Sequence, residues 1–412
     1  MTIKALKIAL IAAVLPMAQP VFAQDQLSVL LPPWGTLPKD LTDQFAQSAG
    51  VTLDAQTLGW DEIRTKIVTS MVANTAPASA TEVDWSWVGQ FGAAGWYQSL
   101  NGGISADVLA DVPTASIFSY GGEVLGVTYN NDFRVMIYNK NHLASANVSA
   151  VPTTPDELLA AARAIKAAGV ADHPIGLPLS ASEGTSTAWY LMTKVFGGEL
   201  FDDNFEPLFV DKDSAGYKAM EFEISAIKEG LIDPSSTGLK DVEIHELFKS
   251  GKITFDVAGW AGNLSVYTDP DKSQVADGAA AALMLSTIGK ARTIGLPEAV
   301  GIPTGAANKE GALAFINWLL EPATQIAAYE TLGNLPPRLS VLEQLNADGK
   351  LVEGDVILAQ AALVEPLFAQ GAPAWYPDFS SSVSSNLNLA AKGQITVEEA
   401  VQRIAADVEA AK

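Results

Sequence analysis

The chain has 412 residues, too many for one hydrophobic core and about right for two domains or lobes, and 48% of them are apolar, which argues against a disordered chain. Its formal net charge of -22 would repel a phosphate backbone, so we expect no nucleic-acid partner. Cysteine is absent, which removes every thiol nucleophile and thiolate metal ligand.

The first 23 residues have the pattern of a secretory signal peptide. Lys4 and Lys7 form a short basic segment, residues 8–17 are apolar, and Ala23 supplies a small residue at the expected cleavage position. No later segment approaches the roughly 20 uninterrupted apolar residues of a membrane span. We therefore expect cleavage after Ala23 and a soluble periplasmic protein, with an uncleaved anchor or a buried helix as the alternatives.

Strands and helices are predicted to alternate along the chain. Strands are predicted at residues 27–31, 51–53, 135–138 and 253–257. Helices are predicted at residues 37–49, from Asp61 onwards, and at residues 155–168, 215–228, 309–320 and 396–411. Thr154 can cap the third of these helices, and Thr396 with Glu399 has the form of a capping box. This alternation is typical of an α/β fold with a mainly parallel sheet.

Patterns of catalytic and metal-binding residues are missing. The three histidines, His142, His173 and His245, lack metal-binding spacing, and we expect each at the surface or in a loop. No glycine-rich phosphate loop and no Gly-x-Ser-x-Gly elbow occurs. Lone acidic pairs such as Asp202 and Asp203 carry little weight among 47 acidic residues. We predict no catalytic residue, no metal and no cofactor, and a glycosidase or lyase remains an alternative.

Several tryptophans lie where predicted strands give way to loops, which is where an open α/β sheet binds its ligands. They are Trp34, Trp60, Trp85, Trp87, Trp189, Trp260 and Trp375. Indole faces suit the apolar faces of pyranose rings, while side chains such as Asp84, Asn130 or Asp132 can bond sugar hydroxyl groups. For any one tryptophan, packing in the core explains the residue as well as ligand contact does. The prediction of a sugar site rests on their shared placement.

Six segments, in the correct order, resemble the extracellular solute-binding proteins of ABC importers, family 1, the maltose-binding-protein-like sugar-binding group. They are residues 124–127 leading to 135–140, residues 152–158 (P-T-T-P-D-E-L), 251–260, 308–316, 335–338 (L-P-P-R) and 393–400 (G-Q-I-T-V-E-E-A). The resemblance implies two α/β lobes, each a mainly parallel sheet flanked by helices. Crossover hinge strands would join the lobes, and the ligand would lie in the cleft between them.

The resemblance also implies where the lobes begin and end. The N-terminal lobe would comprise residues 24–131 and 297–320, and the C-terminal lobe residues 132–296 and 321–412. Crossings are expected near residues 129–134, 296–300 and 320–322. Thr128 stands where the family usually has the crossover proline, and residues 84–87 replace a more common polar pattern. Those departures leave the identity of the ligand open.

Ligand-binding residues are implied in both lobes. The first lobe and the crossover would supply Trp34, Gly35, Asp84, Trp85, Ser86, Trp87, Asn130 and Asp132. The second would supply Glu183, Thr185, Trp189, Gly259, Trp260, Trp375 and Tyr376. Arg338 completes the set, with a purely structural role as its alternative.

The resemblance implies that the protein is a monomeric carrier. It would capture a mono- or oligosaccharide, a polyol or a sugar derivative and deliver it to the permease of an ABC importer in the inner membrane. One alternative ligand class is cationic, such as a polyamine. Asp84, Asp132 and Glu183 would then supply carboxylates around an aromatic box.

Overall fold

The computed structural model describes residues 25–368 and 371–412, so the predicted signal peptide and its cleavage site after Ala23 lie outside the described residues. The strands are β1 Asp25–Leu31, β2 Val51–Thr57, β3 Ala80–Asp84, β4 Ser119–Tyr120, β5 Glu123–Val124, β6 Val127–Asn130, β7 Arg134–Asn139, β8 Ile175–Gly176, β9 Phe255–Trp260, β10 Ala279–Ala282, β11 Thr293–Ile294, β12 Glu298–Gly301 and β13 Val364–Glu365.

Helices fill most of the segments between the strands. They are α1 Lys39–Ala49, α2 Trp60–Val72, α3 Val88–Ala93, α4 Ala106–Ala110, α5 Lys140–Ser145, α6 Pro155–Ala167, α7 Glu183–Val195, α8 Ala215–Lys228, α9 Asp241–Lys249, α10 Asn263–Tyr267, α11 Lys309–Leu319, α12 Pro322–Leu332, α13 Leu339–Ala347, α14 Gly354–Ala361, α15 Tyr376–Ala391 and α16 Val397–Ala411. Among the described residues, none of these helices has the length and apolar character needed to cross a membrane.

Helix boundaries follow the capping chemistry of the sequence. The Thr154 hydroxyl accepts the backbone N–H of Glu157 at 3.2 Å and starts α6, as predicted. The predicted capping box of Thr396 and Glu399 starts α16. The prediction for α1 was two residues too early, because Pro38 has extended backbone and stands at the N-cap.

The first sheet has the strand order β2-β1-β3-β12-β6. β1 pairs in parallel with β2 and β3, whereas β12 pairs antiparallel with both β3 and β6. Four strands therefore run in one direction and β12 runs in the other. Because β12 comes from near residue 300, the sheet combines strands that are far apart in sequence.

The second sheet has the strand order β10-β7-β9-β8. β8 and β9 are parallel, and β7 is antiparallel to both of its neighbours. In each sheet, then, one strand opposes the rest, and it is the strand that enters from a crossing between the sheets. The prediction of mainly parallel sheets holds for strand direction, while these reversed strands make four of the seven strand pairs in the two sheets antiparallel.

Two crossing segments lie side by side between the sheets. Residues 131–133 connect β6 to β7, and residues 295–297 connect β11 to β12. Phe133 forms an isolated antiparallel bridge with Gly295, and the backbone N–H of Leu296 donates to the carbonyl of Asp132 at 2.9 Å. This pair of crossings forms the floor between the lobes; the predicted lobe bounds stay a prediction.

Candidate functional site

A cleft of about 570 Å³ opens between the ends of the two sheets. It is lined by Trp34, Gly59, Trp60, Asp61, Glu62, Asp84, Trp85, Asp132, Arg134, Ala181, Ser182, Glu183, Gly184, Thr187, Lys240, Asp241, Val242, Trp260, Leu296 and Glu298. Its volume is that of a site for a small molecule, and both sheets contribute to its walls.

The pairing register of the strands brings the residues at the floor of the cleft close to one another. In the first sheet, Glu298 at the start of β12 pairs with Asp84 at the end of β3 and with Asn130 at the end of β6. In the second sheet, Arg134 at the start of β7 pairs with Trp260 at the end of β9. Because the reversed strands begin where their neighbours end, all five residues lie at the sheet edges that face the crossings.

Helix N-termini form much of the cleft wall. α2 begins with Trp60, α7 with Glu183 and α9 with Asp241, and all three residues line the cleft. Gly184 lets the last two helices approach closely, since a Cβ atom added there would lie 1.6 Å from the carboxylate of Asp241. Each helix N-terminus carries a partial positive charge of about half an elementary charge, which favours the acidic first turns seen here.

Indole rings from both sides stand near one another across the cleft. Trp34 of the first lobe and Trp260 of the second meet edge to face, with ring centroids 6.2 Å apart. Trp85 meets Tyr376 of α15 at 4.9 Å, also edge to face. The cleft therefore offers aromatic walls to an apolar ring face or to a cation.

Three carboxylates are held in place by neutral donors. Glu298 accepts from the Trp34 indole and from the Asn130 amide. Asp84 accepts from the Trp60 indole at 3.0 Å and from the backbone N–H of Ser86 at 2.8 Å.

The third of these carboxylates, Glu183, accepts from the hydroxyls of Tyr376 and Ser380. Burial, together with repulsion from Asp84 and Asp241, raises the pKa of Glu183 to about 7 against the opposition of these two hydrogen bonds. A carboxyl group with this pKa is only partly ionised at neutral pH.

Neighbouring carboxyls in the cleft have raised pKa values as well. Burial and the charge of Asp132 raise the pKa of Glu298, and burial is the main cause of the raised pKa of Asp84, Asp132 and Asp241. Like charges enclosed together disfavour one another's ionisation, so each of these carboxyl groups would ionise more readily if a cation approached it.

The two cations of the cleft are both paired. The Arg134 guanidinium donates to Asp132 and lies 5.5 Å from the centre of the Trp260 ring. Lys240 at the start of α9 reaches Asp61 at the start of α2, with 3.6 Å between nitrogen and oxygen. That second pair joins the two lobes at the mouth of the cleft.

A smaller cavity of about 260 Å³ adjoins the first and shares Trp60, Asp61 and Glu183 with it. Ser86, Trp87 and Tyr376 line this side cavity, as do hydroxyl groups of α15. Trp87 is almost fully buried and packs against Trp60 at 4.9 Å, so its ring supports the wall of the cavity.

The structure brings together part of the predicted ligand-binding set. Residues that line the larger cleft are Trp34, Asp84, Trp85, Asp132, Glu183 and Trp260. Residues that line the side cavity are Ser86, Trp87 and Tyr376, together with Glu183. Asn130 lies behind the cleft, where it bonds Glu298 at 3.1 Å.

The remaining predicted residues lie outside both cavities. Gly35 packs against Tyr129, and Gly259 packs against Ile137, with no room for a side chain at either position. The buried hydroxyl of Thr185 donates at 2.5 Å to the carbonyl of Ser180.

Arg338 and Trp375 also lie away from the cleft. Arg338 pairs with Asp111 at 2.8 Å, which corresponds to the structural alternative for this residue. Trp375 packs among Phe201, Phe205 and Phe368, with centroid distances of 5.5, 5.6 and 6.2 Å.

Two local predictions were wrong. Trp189 does not lie where a strand meets a loop; it is fully buried within α7, and its indole donates to the Gly216 carbonyl at 2.8 Å. His245 is neither a surface nor a loop residue, because it lies on the buried side of α9 against Trp260, at 4.8 Å. Burial lowers the pKa of His245 to about 3 and keeps its ring neutral.

Charged residues of the cleft were the main omission. Arg134, Lys240, Asp241 and Glu298 line it and were not among the predicted site residues. Arg134 and Glu298 lie at the expected crossings, which was a signal that could have found them, whereas Lys240 and Asp241 stand at the start of α9, a helix that was not predicted. Among the described residues, no group of histidine and acidic side chains is arranged to hold a metal ion.

Comparison with known proteins places the chain in a family. The model of the family described as bacterial extracellular solute-binding protein matches residues 34–326, well over half of the chain. A binding protein of Brucella abortus (strain 2308) is 25% identical over 351 residues, which are 84% of this chain and 82% of that protein. An amino-acid ABC transporter periplasmic-binding protein of Sinorhizobium fredii is 23% identical over 73% of this chain and 69% of its own length.

Solved structures share the fold over almost the whole chain. Maltose-bound MalE3 of T. maritima has a TM-score of 0.81 and 20% identity, covering 93% of this chain and 99% of that chain. The solute-binding protein of Agrobacterium vitis S4 with bound D-mannitol has a TM-score of 0.80 and 20% identity, covering 94% of this chain and 98% of that chain. These similarities confirm the predicted two-lobed α/β fold.

Proposed function

Because the chain belongs to the bacterial extracellular solute-binding protein family, we propose that it is the binding component of an ABC importer and captures a carbohydrate or polyol in its inter-lobe cleft. The observation that carries this proposal is the tryptophan-lined cleft between the lobes, where Trp34 and Trp260 face each other from opposite sides. Indoles can cover the apolar face of a sugar ring while the carboxylates accept its hydroxyl groups.

Structural neighbours support this class of ligand. The T. maritima protein binds maltose and the A. vitis protein binds D-mannitol. Two further neighbours, from Thermotoga lettingae and Agrobacterium radiobacter K84, hold tagatose and ribitol. A cyclic or linear, monomeric or short oligomeric ligand is compatible with the volume of the cleft and its side cavity.

Capture and release would follow from hinge motion at the paired crossings. Trp34 and Trp260 contact one ligand together only while the lobes are closed, so the ligand stabilises the closed form over the open one. Asp132 and Leu296 lie on the crossings and also line the cleft, which couples the ligand directly to the hinge. A permease in the inner membrane could then recognise the closed form.

We further propose that the protein acts in the periplasm as a monomer and returns its ligand unchanged. Capture needs no bond making, and hinge closure alone provides the signal. The ligand should be found intact by mass spectrometry after incubation with the protein for a time in which an ordinary enzyme would complete many turnovers. Recovery of a cleaved or eliminated product would contradict the proposal and favour a glycosidase or lyase.

A thermal-shift screen of monosaccharides, disaccharides, polyols, amino sugars and polyamines tests the proposal. A ligand that binds only the folded protein raises the melting temperature with its concentration. We expect at least one carbohydrate or polyol to raise it and to bind in isothermal titration with a stoichiometry of one. A response to polyamines alone, with no sugar or polyol binding, would overturn the proposed ligand class.

A further inference from the structure

The many acidic side chains of the cleft distinguish it from a site for a neutral sugar. Its lining includes seven carboxylates but only two cationic side chains, Arg134 and Lys240. Both cations are already paired, with Asp132 and Asp61 respectively. The N-termini of α2, α7 and α9 together offset less than two negative charges, at about half a charge each. Acidic side chains therefore outnumber the positive groups that could balance them.

That excess is concentrated near Glu183. Among the described residues, no lysine, arginine or histidine lies within ion-pair distance of Glu183, Asp84 or Asp241; Arg64 acts on Asp84, and Arg134 and Lys240 act on Asp241, only from longer range. Gly184, next to Glu183, leaves no room for a Cβ atom against the carboxylate of Asp241, and the Tyr376 that donates to Glu183 contacts Trp85, next to Asp84, so the three carboxylates share one part of the cleft. Neutral groups hold Glu183 and Asp84 in position, because Tyr376 donates to the former and Trp60 to the latter.

Aromatic faces stand beside these carboxylates. Trp60 and Trp85 line the cleft together with Asp84, and Trp85 also contacts Tyr376. An ammonium group next to carboxylates and indoles gains both charge-assisted hydrogen bonds and cation–π attraction. A neutral hydroxyl group, unlike an ammonium group, offers these acids no positive charge that would favour their ionised form.

We infer that the cleft selects a carbohydrate or polyol that carries a protonated amino group, and that Glu183, with Asp84 and Asp241, receives that group. The inference rests on the proposed function and specifies its ligand class. A linear polyamine fits less well, because it has no acceptor for Arg134 or Lys240 and would repel both. An amino sugar supplies the cation as well as hydroxyl acceptors for those side chains.

Isothermal titration with matched ligands tests the charge. Glucosamine, galactosamine and mannosamine differ from glucose, galactose and mannose at one group, and N-acetylglucosamine adds bulk to that group without charge. We expect at least one amino sugar to bind about tenfold or more tightly than its neutral parent and its acetylated form. Spermidine, titrated in parallel, should bind much more weakly than that amino sugar.

Variants locate the amino group. Glu183→Gln retains the size of the side chain and should weaken binding of the amino sugar about tenfold more than it weakens binding of the neutral parent. Asp241→Asn should act in the same direction. Glu343→Gln, at an exposed acid on α13, is the matched control and should change neither affinity. Circular dichroism confirms that each variant is folded.

The possible outcomes separate this inference from the proposed function. Equal affinity for amino sugars and their neutral parents would overturn the inference and leave a carbohydrate-binding protein. Binding of spermidine without any sugar would overturn both. Lack of binding by every amino sugar at millimolar concentration would overturn the inference, whichever neutral ligand the screen finds.

Discussion

At the scale of single residues, the nine tryptophans of this chain divide by environment, and the division can be measured. Trp260 lies at the end of β9, half-buried, with its ring toward Trp34 and the cleft. We expect Trp260→Ala to weaken ligand binding by about 1–3 kcal/mol, because an aromatic wall of the site is lost. Isothermal titration with the ligand found in the screen measures the effect.

Trp189→Ala is the matched control, since it removes an indole from the core of the second lobe. Trp189 is fully buried against Tyr190 and Phe209, and its removal should reduce the free energy of unfolding by about 3–5 kcal/mol. In the folded variant, the affinity should stay near that of the parent protein. An unchanged dissociation constant for Trp260→Ala would remove Trp260 from the site.

Glu223 is a buried acid that the proposed function does not use. It lies in α8, is fully buried, and neither carboxyl oxygen has a hydrogen-bond partner among the described residues. Burial raises its pKa well above the ordinary value of 4.5. Glu223→Met should stabilise the protein by about 1–3 kcal/mol, because an unsatisfied polar group is replaced by an apolar one of similar length.

The stabilisation by Glu223→Met should be larger at pH 8 than at pH 5. Because burial raises the pKa of Glu223, the unfolded chain releases this proton more readily than the folded protein does, and the parent protein loses stability as pH rises. Chemical denaturation at both pH values measures it. Glu221→Met changes an exposed acid on the same helix and should leave stability nearly unchanged at either pH. A destabilised Glu223→Met variant would mean that the carboxyl group has a favourable interaction in the core.

At the scale of elements, a network of charges fastens α7 to the strand pair β11–β13. Arg292, next to β11, donates to Glu365 of β13 and to Glu199 after α7. The buried Lys194 at the end of α7 pairs with Glu199 and lies 3.6 Å from Glu365. β11 leads directly into the second crossing, so this network anchors one side of the hinge.

Arg292→Met should lower the free energy of unfolding by about 2 kcal/mol, because two carboxylates lose their shared partner in a partly buried place. Arg163→Met is the matched control. Its pair with Glu229 is equally well formed at 2.8 Å but exposed, and its loss should cost less than about 1 kcal/mol. Equal effects of the two substitutions in urea denaturation would show that the network adds nothing beyond surface pairing.

Elements were easier to predict from the sequence than the site they form. Capping residues such as Thr154 and Thr396 fixed helix starts because their chemistry is local. Glu298 and Asp84 meet only through the register of β12 against β3, across more than two hundred residues of chain. No local pattern records such a pairing, so the carboxylates of the cleft could not be assembled from the sequence.

Trp189 illustrates the opposite error. Trp189 was expected where a strand gives way to a loop, but the residue is helical, and both sides of its helix are covered by α8 and α15. A helix that is buried on every side has no solvent-facing polar side. Its sequence therefore lacks the alternation of polar and apolar residues, at the period of a helix, by which helices are recognised.

At the scale of the whole molecule, stability should depend on pH through two sets of acids. Burial raises the pKa of Asp256 to about 7, as it does for Glu183. Between the unfolded and folded pKa values the folded state binds more protons, so this stability is full below the unfolded pKa and is lost as pH rises towards 7. Glu365 opposes this trend at low pH. Although burial alone would raise its pKa, hydrogen bonds from Arg292 and Lys290 lower it to about 2.

The contribution of Glu365 is present above its unfolded pKa and is lost as pH falls through the acidic range. We therefore expect the melting temperature of the ligand-free protein to be highest at mildly acidic pH and to fall towards both pH 8 and pH 3. Differential scanning calorimetry measures the profile. Asp256→Asn should flatten its alkaline side, and a melting temperature that rises from pH 5 to pH 8 would contradict the assignment.

The position of β12 late in the sequence determines when the first sheet can be completed. The position between β3 and β6 in the first sheet stays empty until residues 298–301 have been synthesised, so β6 has no neighbouring strand before then. Contacts this distant in sequence form slowly. The first sheet of a nascent chain can therefore be completed only after β12 has been synthesised, whereas all four strands of the second sheet precede β12 and can pair before it.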